Sequence, residues 1–157
     1  MLALLLAGGC GGGGGAPAEQ VVRGTGYAFS APAAWNVTRS AREVRAAQGL
    51  GVVSVTRFPL LRPYRTELWP KVLPELDRAA ADVARQQDGT VTDSETVTIA
   101  DRDARRYEVA YEREGKQLVE RLGFVLRGKT EYLLLCRYER GGDTDACERL
   151  LATFTLG

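Results

Sequence analysis

The chain has 157 residues, 45% apolar and 26% charged, and its 21 basic side chains stand against 20 acidic ones for a formal charge of +1. That length suits one domain able to bury roughly two-thirds of its unfolded surface. The charge balance excludes a basic nucleic-acid footprint and an acidic tail. Histidine is absent, which removes the commonest general base and the commonest metal ligand together.

The first ten residues read Met-Leu-Ala-Leu-Leu-Leu-Ala-Gly-Gly-Cys. The apolar run over residues 2–7 is far shorter than the roughly 20 residues of a membrane-spanning helix. It fits the end of a signal-peptide hydrophobic region followed by small residues. Ala7-Gly8-Gly9-Cys10 resembles the bacterial lipobox. That resemblance implies removal of residues 1–9 and acylation of the Cys10 thiol, which anchors the chain to a membrane through lipid. Ala7 stands where lipoboxes usually carry Leu, and no Lys or Arg precedes the run, so the true start is expected further upstream. The competing reading is an accidental apolar start on a disordered tail. Seven of the 18 glycines fall within the first 15 residues, and residues 11–15 with Ala-Pro-Ala-Glu-Gln after them cannot build a core. A phosphate-cradling loop would need a preceding strand and a Lys-Ser/Thr ending. Residues 10–23 are therefore read as a tether and 24–157 as the folded domain. From Cys10 to Tyr27 the tether would reach about 20–25 Å.

Within the domain, Tyr27-Ala28-Phe29, running to Pro32, and Trp35-Asn36-Val37-Thr38 are short extended pieces. Residues 42–47 and 51–58 follow, the second a Val-Val-Ser-Val-Thr run with strong β propensity. Pro59 and Pro63 are expected to end it, since proline cannot donate to a central ladder. Over residues 66–88, Leu73, Leu76, Ala80 and Val83 recur at spacings of three and four and mark one buried helical face. Pro74 predicts a turn near Trp69 and a regular helix from residue 74 to about 87, stopped at Asp88-Gly89. Four strand-like runs come next, residues 91–99, 104–113, 117–126 and 131–138, with Asp101-Arg102-Asp103, Glu114-Gly115 and Gly128-Lys129 between them. Such short connections predict an antiparallel meander. Tyr107, Val109 and Tyr111 turn one face to the core, while Leu133-Leu134-Leu135 is apolar on both faces, as in a strand covered on both sides. Thr144 or Asp145 caps a final helix that turns Cys147, Leu150 and Leu151 inward. Residues 153–156 close the chain as an extended tail.

With Cys10 given to lipid, only Cys136 and Cys147 remain to pair. In an exported protein a structural disulfide is expected, stabilising by roughly 3 kcal/mol in the chain-entropy model. Gly141-Gly142 lets the segment between them turn back. Two buried free thiols or a reactive pair are the alternatives, although the Cys-x-x-Cys spacing of a redox dithiol is missing.

Gly26-Tyr27-Ala28-Phe29-Ser30-Ala31-Pro32-Ala33-Ala34-Trp35 resembles the aromatic-x-Phe-x-x-Pro-x-x-Trp opening of PsbP-type domains. Gly128-Lys129, Tyr132-Leu133-Leu134, a helix and Thr153-Phe154-Thr155-Leu156 match their ending. Over residues 24–156 the resemblance implies an α+β fold: an antiparallel sheet of about six to seven strands with helices packed on its faces, an α/β/α sandwich shared with many small bacterial lipoproteins. Trp35 is read as a core anchor behind a proline-fixed turn.

Catalytic chemistry finds little support. A serine nucleophile lacks its usual base, and Lys71, Lys116 and Lys129 sit in polar or turn surroundings that keep an amine solvated. Asp101/Asp103 and Asp143/Asp145 could hold a hard cation loosely, but aspartates favour turns for their own backbone bonds, so no metal or cofactor site is assigned. Arg62, Tyr64, Arg65 and Trp69 form the candidate contact surface, a cationic and aromatic set of the kind enriched at interfaces. The alternative is a loop whose aromatics tuck over the sheet while its arginines reach water. The expectation is a lipid-anchored cell-envelope protein, not an enzyme, that binds or assembles with an envelope protein and not with nucleic acid. A carrier or sensor of a small apolar ligand, held between the sheet and the 73–83 helix, is the second reading.

Overall fold

The computed structural model describes residues 18–157; the apolar start, Cys10 and residues 11–17 lie outside them. Described elements run β1 (Glu19–Gly24), β2 (Tyr27–Pro32), β3 (Asn36–Arg39), β4 (Glu43–Gln48), β5 (Gly51–Tyr64), a 3-10 turn (Thr66–Leu68), α1 (Trp69–Gln86), β6 (Thr90–Ile99), β7 (Arg102–Arg113), β8 (Lys116–Glu139), α2 (Asp145–Thr153) and β9 (Thr155–Leu156). They build a three-stranded sheet in the order β1-β2-β9 and a six-stranded sheet in the order β3-β4-β5-β8-β7-β6. Every pairing is antiparallel. The α+β class expected from the sequence is the class found.

β8 holds 24 residues. Straight, it would run about 80 Å, roughly twice the width of a domain this size. It folds back at Gly128 instead, where φ is +55°. The Arg140 N–H donates to the Gln117 carbonyl at 2.8 Å, and Lys116 Nζ lies 3.4 Å from Glu139. Residues 116–125 pair with β7 and residues 128–137 with β5, so β8 fills two adjacent places in the sheet. These limbs are the 117–126 and 131–138 runs of the sequence, and Gly128-Lys129 is the turn between them.

Alternation along the strands sends side chains to two cores on opposite faces. On one face, Val53, Val55, Val125, Tyr132, Leu134 and Cys136 meet the small sheet (Val22, Tyr27, Phe29, Ala31) and α2 (Cys147, Leu150). On the other, Tyr107, Val109, Tyr111, Leu118, Leu122 and Phe124 meet Leu76, Ala80 and Ala84 of α1. Leu134 serves the first core while Leu133 and Leu135 pack on the second.

Three boundaries differ from those expected. The tether is shorter, because residues 19–24 pair with residues 27–32 as β1; only Val22 in that strand is buried, which leaves little apolar pattern to read. α1 begins at Trp69 with a proline in its first two positions and carries Pro74 internally. Residue 74 lies near the N-terminus, where little of the hydrogen-bond ladder precedes it, so the missing N–H removes one bond without ending the helix. β5 runs through Pro59. The Arg57 N–H points toward β4, bonding the Arg42 carbonyl at 2.9 Å, and Pro59, two residues on, turns its nitrogen to the same side. β4 pairing has ended there at Thr56, so no ladder bond is lost.

The stop after α1 is a Schellman motif with its roles exchanged. Gly89 N–H bonds Ala84 C=O at 2.8 Å, Asp88 N–H bonds Arg85 C=O at 3.1 Å, and Asp88, not the glycine, takes the left-handed position at φ +54°. Gly89 is needed for space, since a Cβ there would lie 2.6 Å from the Ala110 carbonyl oxygen.

Candidate functional site

The four residues of the candidate contact surface separate by depth. Tyr64, at the end of β5, and Trp69, at the start of α1, are half-buried and pack against the α1-side core, whereas Arg62 and Arg65 are exposed. The aromatics thus belong to the fold and only the cations face water. Just before Tyr64 the backbone leaves the ladder. Pro59 pairs with Thr130 and Tyr64 with Gly128, so the register shifts and residues 60–63 bulge from the ladder. Leu60 packs inward on the α1-side core. Leu61 is fully exposed, and Phe58, three residues before it, is 36% exposed. Two adjacent leucines flanked by Pro59 and Pro63 were the available signal.

At the opposite end of β5, a cleft of about 240 Å³ opens beside the disulfide. Cys136 and Cys147 are bonded, with Cα atoms 5.4 Å apart, and tie β8 to α2. Trp35, Tyr138, Asp145 and Arg149 line the same cleft. Its cations are already engaged: Arg149 Nε lies 3.0 Å from Glu19, and Arg137 Nε donates to the Leu50 carbonyl at 3.0 Å. The Gln20 side-chain amide donates to the carbonyls of Pro32 and Trp35 at 3.0 and 2.7 Å, fixing the turn that carries the indole. The space between α1 and the sheet, where the apolar-ligand reading placed a pocket, is filled by the α1-side core.

Glu120 is 3% exposed, on the α1 side of β8. Tyr111 Oη donates to its Oε1 at 2.8 Å, and Arg137 Nη1 approaches the same oxygen at 3.9 Å. Oε2 has no hydrogen-bond partner. Burial, followed by the bond to Glu120, pushes the Tyr111 phenol up from its ordinary value. Leu118 and Leu122 lie two residues to either side on the same face, so a glutamate breaking an apolar alternation was the readable clue. A second phenol clamps α1 to the sheet, Tyr107 Oη donating to Asp77 Oδ1 at 2.6 Å; burial, then that carboxylate, raises its pKa as well.

The acidic pairs sit at element boundaries. Asp101 has φ +58° in the turn between β6 and β7 while Asp103 is in β7, and Asp143 Oδ1 accepts the N–H of Asp145, the first residue of α2, at 2.7 Å. Among the described residues no group of three or more His, Cys, Asp or Glu is placed to hold a metal ion, and no helix is long and apolar enough to cross a membrane.

By sequence, no family model and no curated protein matches the chain. By structure, cyanobacterial PsbP (CyanoP) from Synechocystis sp. PCC 6803 matches over 96% of this chain and 98% of its own, with TM-score 0.59 and 18% identity. A protein from Bacteroides thetaiotaomicron VPI-5482 matches over 88% of this chain with TM-score 0.63 and 15% identity; the chain spans 48% of that protein's length. LpqN of Mycobacterium tuberculosis, involved in cell envelope biogenesis, aligns with TM-score 0.43 and 12% identity, too distant a likeness to carry an argument. The domain is PsbP-like in fold, as its opening and closing motifs implied.

Proposed function

We propose that this chain is a cell-envelope protein, anchored through lipid on Cys10, whose PsbP-like domain works by binding a protein and not by catalysis. The chain's start carries the anchoring part: a lipobox-like Ala7-Gly8-Gly9-Cys10 is followed by a Gly-rich segment that reaches the folded domain at Glu19. The non-catalytic part is supported by what the polar side chains do. Asp77, Glu108, Glu120, Arg121 and Arg137 connect elements of the fold to one another, and Ser54 sits at 1% exposure inside a strand.

Radiolabelled palmitate fed to cells making the full chain tests the anchor. Label should enter the wild type and not Cys10→Ser, and the variant should leave the membrane fraction. An unlabelled wild type found in the soluble fraction would sink the anchor. A second reading is a small-ligand carrier, and the cleft beside the disulfide lined by Trp35 and Tyr138 is the observation that favours it. Native mass spectrometry of the purified chain should then show a bound species that Trp35→Ala loses.

A further inference from the structure

We propose that the cleft beside the disulfide binds a small organic cation, its apolar substituents against Trp35 and Tyr138 and its charge held by Asp143 and Asp145. This rests on the small-ligand reading above and gives that ligand a chemistry. The walls of the cleft are fixed by separate ties. The Gln20 amide bonds the Pro32 and Trp35 carbonyls, and the Trp35 N–H donates to the Pro32 carbonyl at 3.1 Å, which sets the turn carrying the indole. Gly51 leaves the space the indole fills, since a Cβ there would lie 2.8 Å from the Trp35 ring. The disulfide holds α2, with its acidic start, against the strand that carries Tyr138. A site already in its bound shape loses little affinity to ordering.

The charges around the cleft leave an acidic excess. Arg149 Nε lies 3.0 Å from Glu19. Arg137 Nη1 lies 3.9 Å from Glu120, and its Nε donates to the Leu50 carbonyl. Arg121 bridges Glu108 and Glu148, and Lys116 pairs with Glu139. Asp143 and Asp145 are exposed, and neither forms an ion pair among the described residues. Arg140, in the turn before them, is exposed as well, and its single charge offsets one of the two. A cation is attracted to the face of an indole or phenol ring, and a carboxylate at the rim adds Coulomb attraction where water is partly excluded.

Two other ligand classes fit the lining less well. An anion needs free donors, but at the start of α2 the Asp145 N–H is taken by Asp143 Oδ1, and the Cys147 and Glu148 N–H groups by the Thr144 carbonyl. A neutral apolar ligand would strip water from two carboxylates without pairing them. Size narrows the class further. The cleft holds about 240 Å³, below the roughly 300–1,000 Å³ of sites for drug-sized molecules, so the cation is a compact alkylammonium.

Choline, titrated into the purified full chain by calorimetry, is the probe, with its uncharged carbon isostere dimethylbutanol beside it. Choline should bind about tenfold more tightly than the isostere. Asp143→Asn with Asp145→Asn should lower choline affinity about tenfold and leave the isostere's unchanged. Asparagine keeps the acceptor that caps the Asp145 N–H, so the thermal midpoint should stay in place. Trp35→Leu should weaken both ligands. Equal affinity for choline and isostere, tighter binding of the anionic analogue dimethylbutyrate, choline binding indifferent to the asparagine pair, or no saturable choline binding up to about 10 mM each overturn the proposal. The two readings fail separately. A Trp35-dependent bound species in native mass spectrometry, from a chain that does not prefer choline, keeps the carrier and sinks the cation site; a chain that binds nothing in the cleft sinks both.

Discussion

On one side of the large sheet, Tyr27, Phe29, Tyr132 and Phe154 interlock with ring centroids 5.8–6.4 Å apart, and the Cys136–Cys147 bond fastens α2 above β8. On the other side α1 lies alone over an apolar layer that also encloses Glu120, with Tyr107 reaching out to Asp77. The first side joins elements far apart in sequence, residue 30 to residue 153 through a 2.8 Å hydrogen bond. The second is nearly continuous in sequence, from α1 through β6 and β7 to the first limb of β8. Aromatic packing holds what the chain order separates there, and the covalent tie, between residues 11 apart, fixes α2 locally to β8; the second side, built from local connections, leaves room for polar groups in the core.

That contrast is most severely tested at Phe29, 1% exposed in the small sheet. Phe29→Ala should cost about 4 kcal/mol in urea unfolding; a loss below about 1 kcal/mol would mean the small sheet is an accessory to the fold. Next comes the tie. Cys136→Ser with Cys147→Ser closes no loop in the unfolded state and should cost about 3 kcal/mol, and a reductant should destabilise the wild type by a like amount while leaving the double variant unchanged.

On the α1 side the expected effects are smaller and have a different signature. Glu120→Ala leaves the Tyr111 hydroxyl without its acceptor and Arg137 without the carboxylate 3.9 Å away, and should cost about 2–3 kcal/mol. Replacing all three by apolar residues of similar volume should recover most of that loss; if it does not, the charge is required for the packing of this face. Tyr107→Phe should cost about 1 kcal/mol, since Asp77 is half in solvent. The Tyr107 phenol has its pKa raised in the folded state, so its contribution is complete below pH 10 and falls as pH rises toward the folded value. Alkaline unfolding titrations should therefore show a shallower loss above pH 10 for Tyr107→Phe than for the wild type.

Much of this arrangement could be read from residue order. The Val-Val-Ser-Val-Thr run, the turns at Glu114-Gly115 and Gly128-Lys129, and the alternation of Tyr107, Val109 and Tyr111 report local physics, and the strands and their cores follow from it. The small sheet was legible only in part: β2 showed itself through Tyr27 and Phe29, but β1 offers one buried valine and depends on a partner across a turn. α1 was displaced at its start because Pro74 weighs heavily in isolation and lightly near a helix N-terminus. At residues 62–69 the packing follows the alternative given from the sequence: Tyr64 and Trp69 tuck half-buried onto the α1-side core while Arg62 and Arg65 reach water. The exposure of Leu61 is set by the register shift in β5, which no periodicity marks.

The pairing of Tyr27 with Leu156 has a consequence for the order of assembly. A chain emerging with its N-terminus first presents β1 and β2 early, yet their neighbour β9 comes after every other described element. The hairpins from β6 to β8 need only nearby residues and can close as they emerge. The small sheet must wait for β9, so its Tyr27 edge stays unpaired while everything from β3 to α2 is being made. A sheet whose first strands are completed by a strand from the far side of the domain ties the two ends of the fold into one cooperative event.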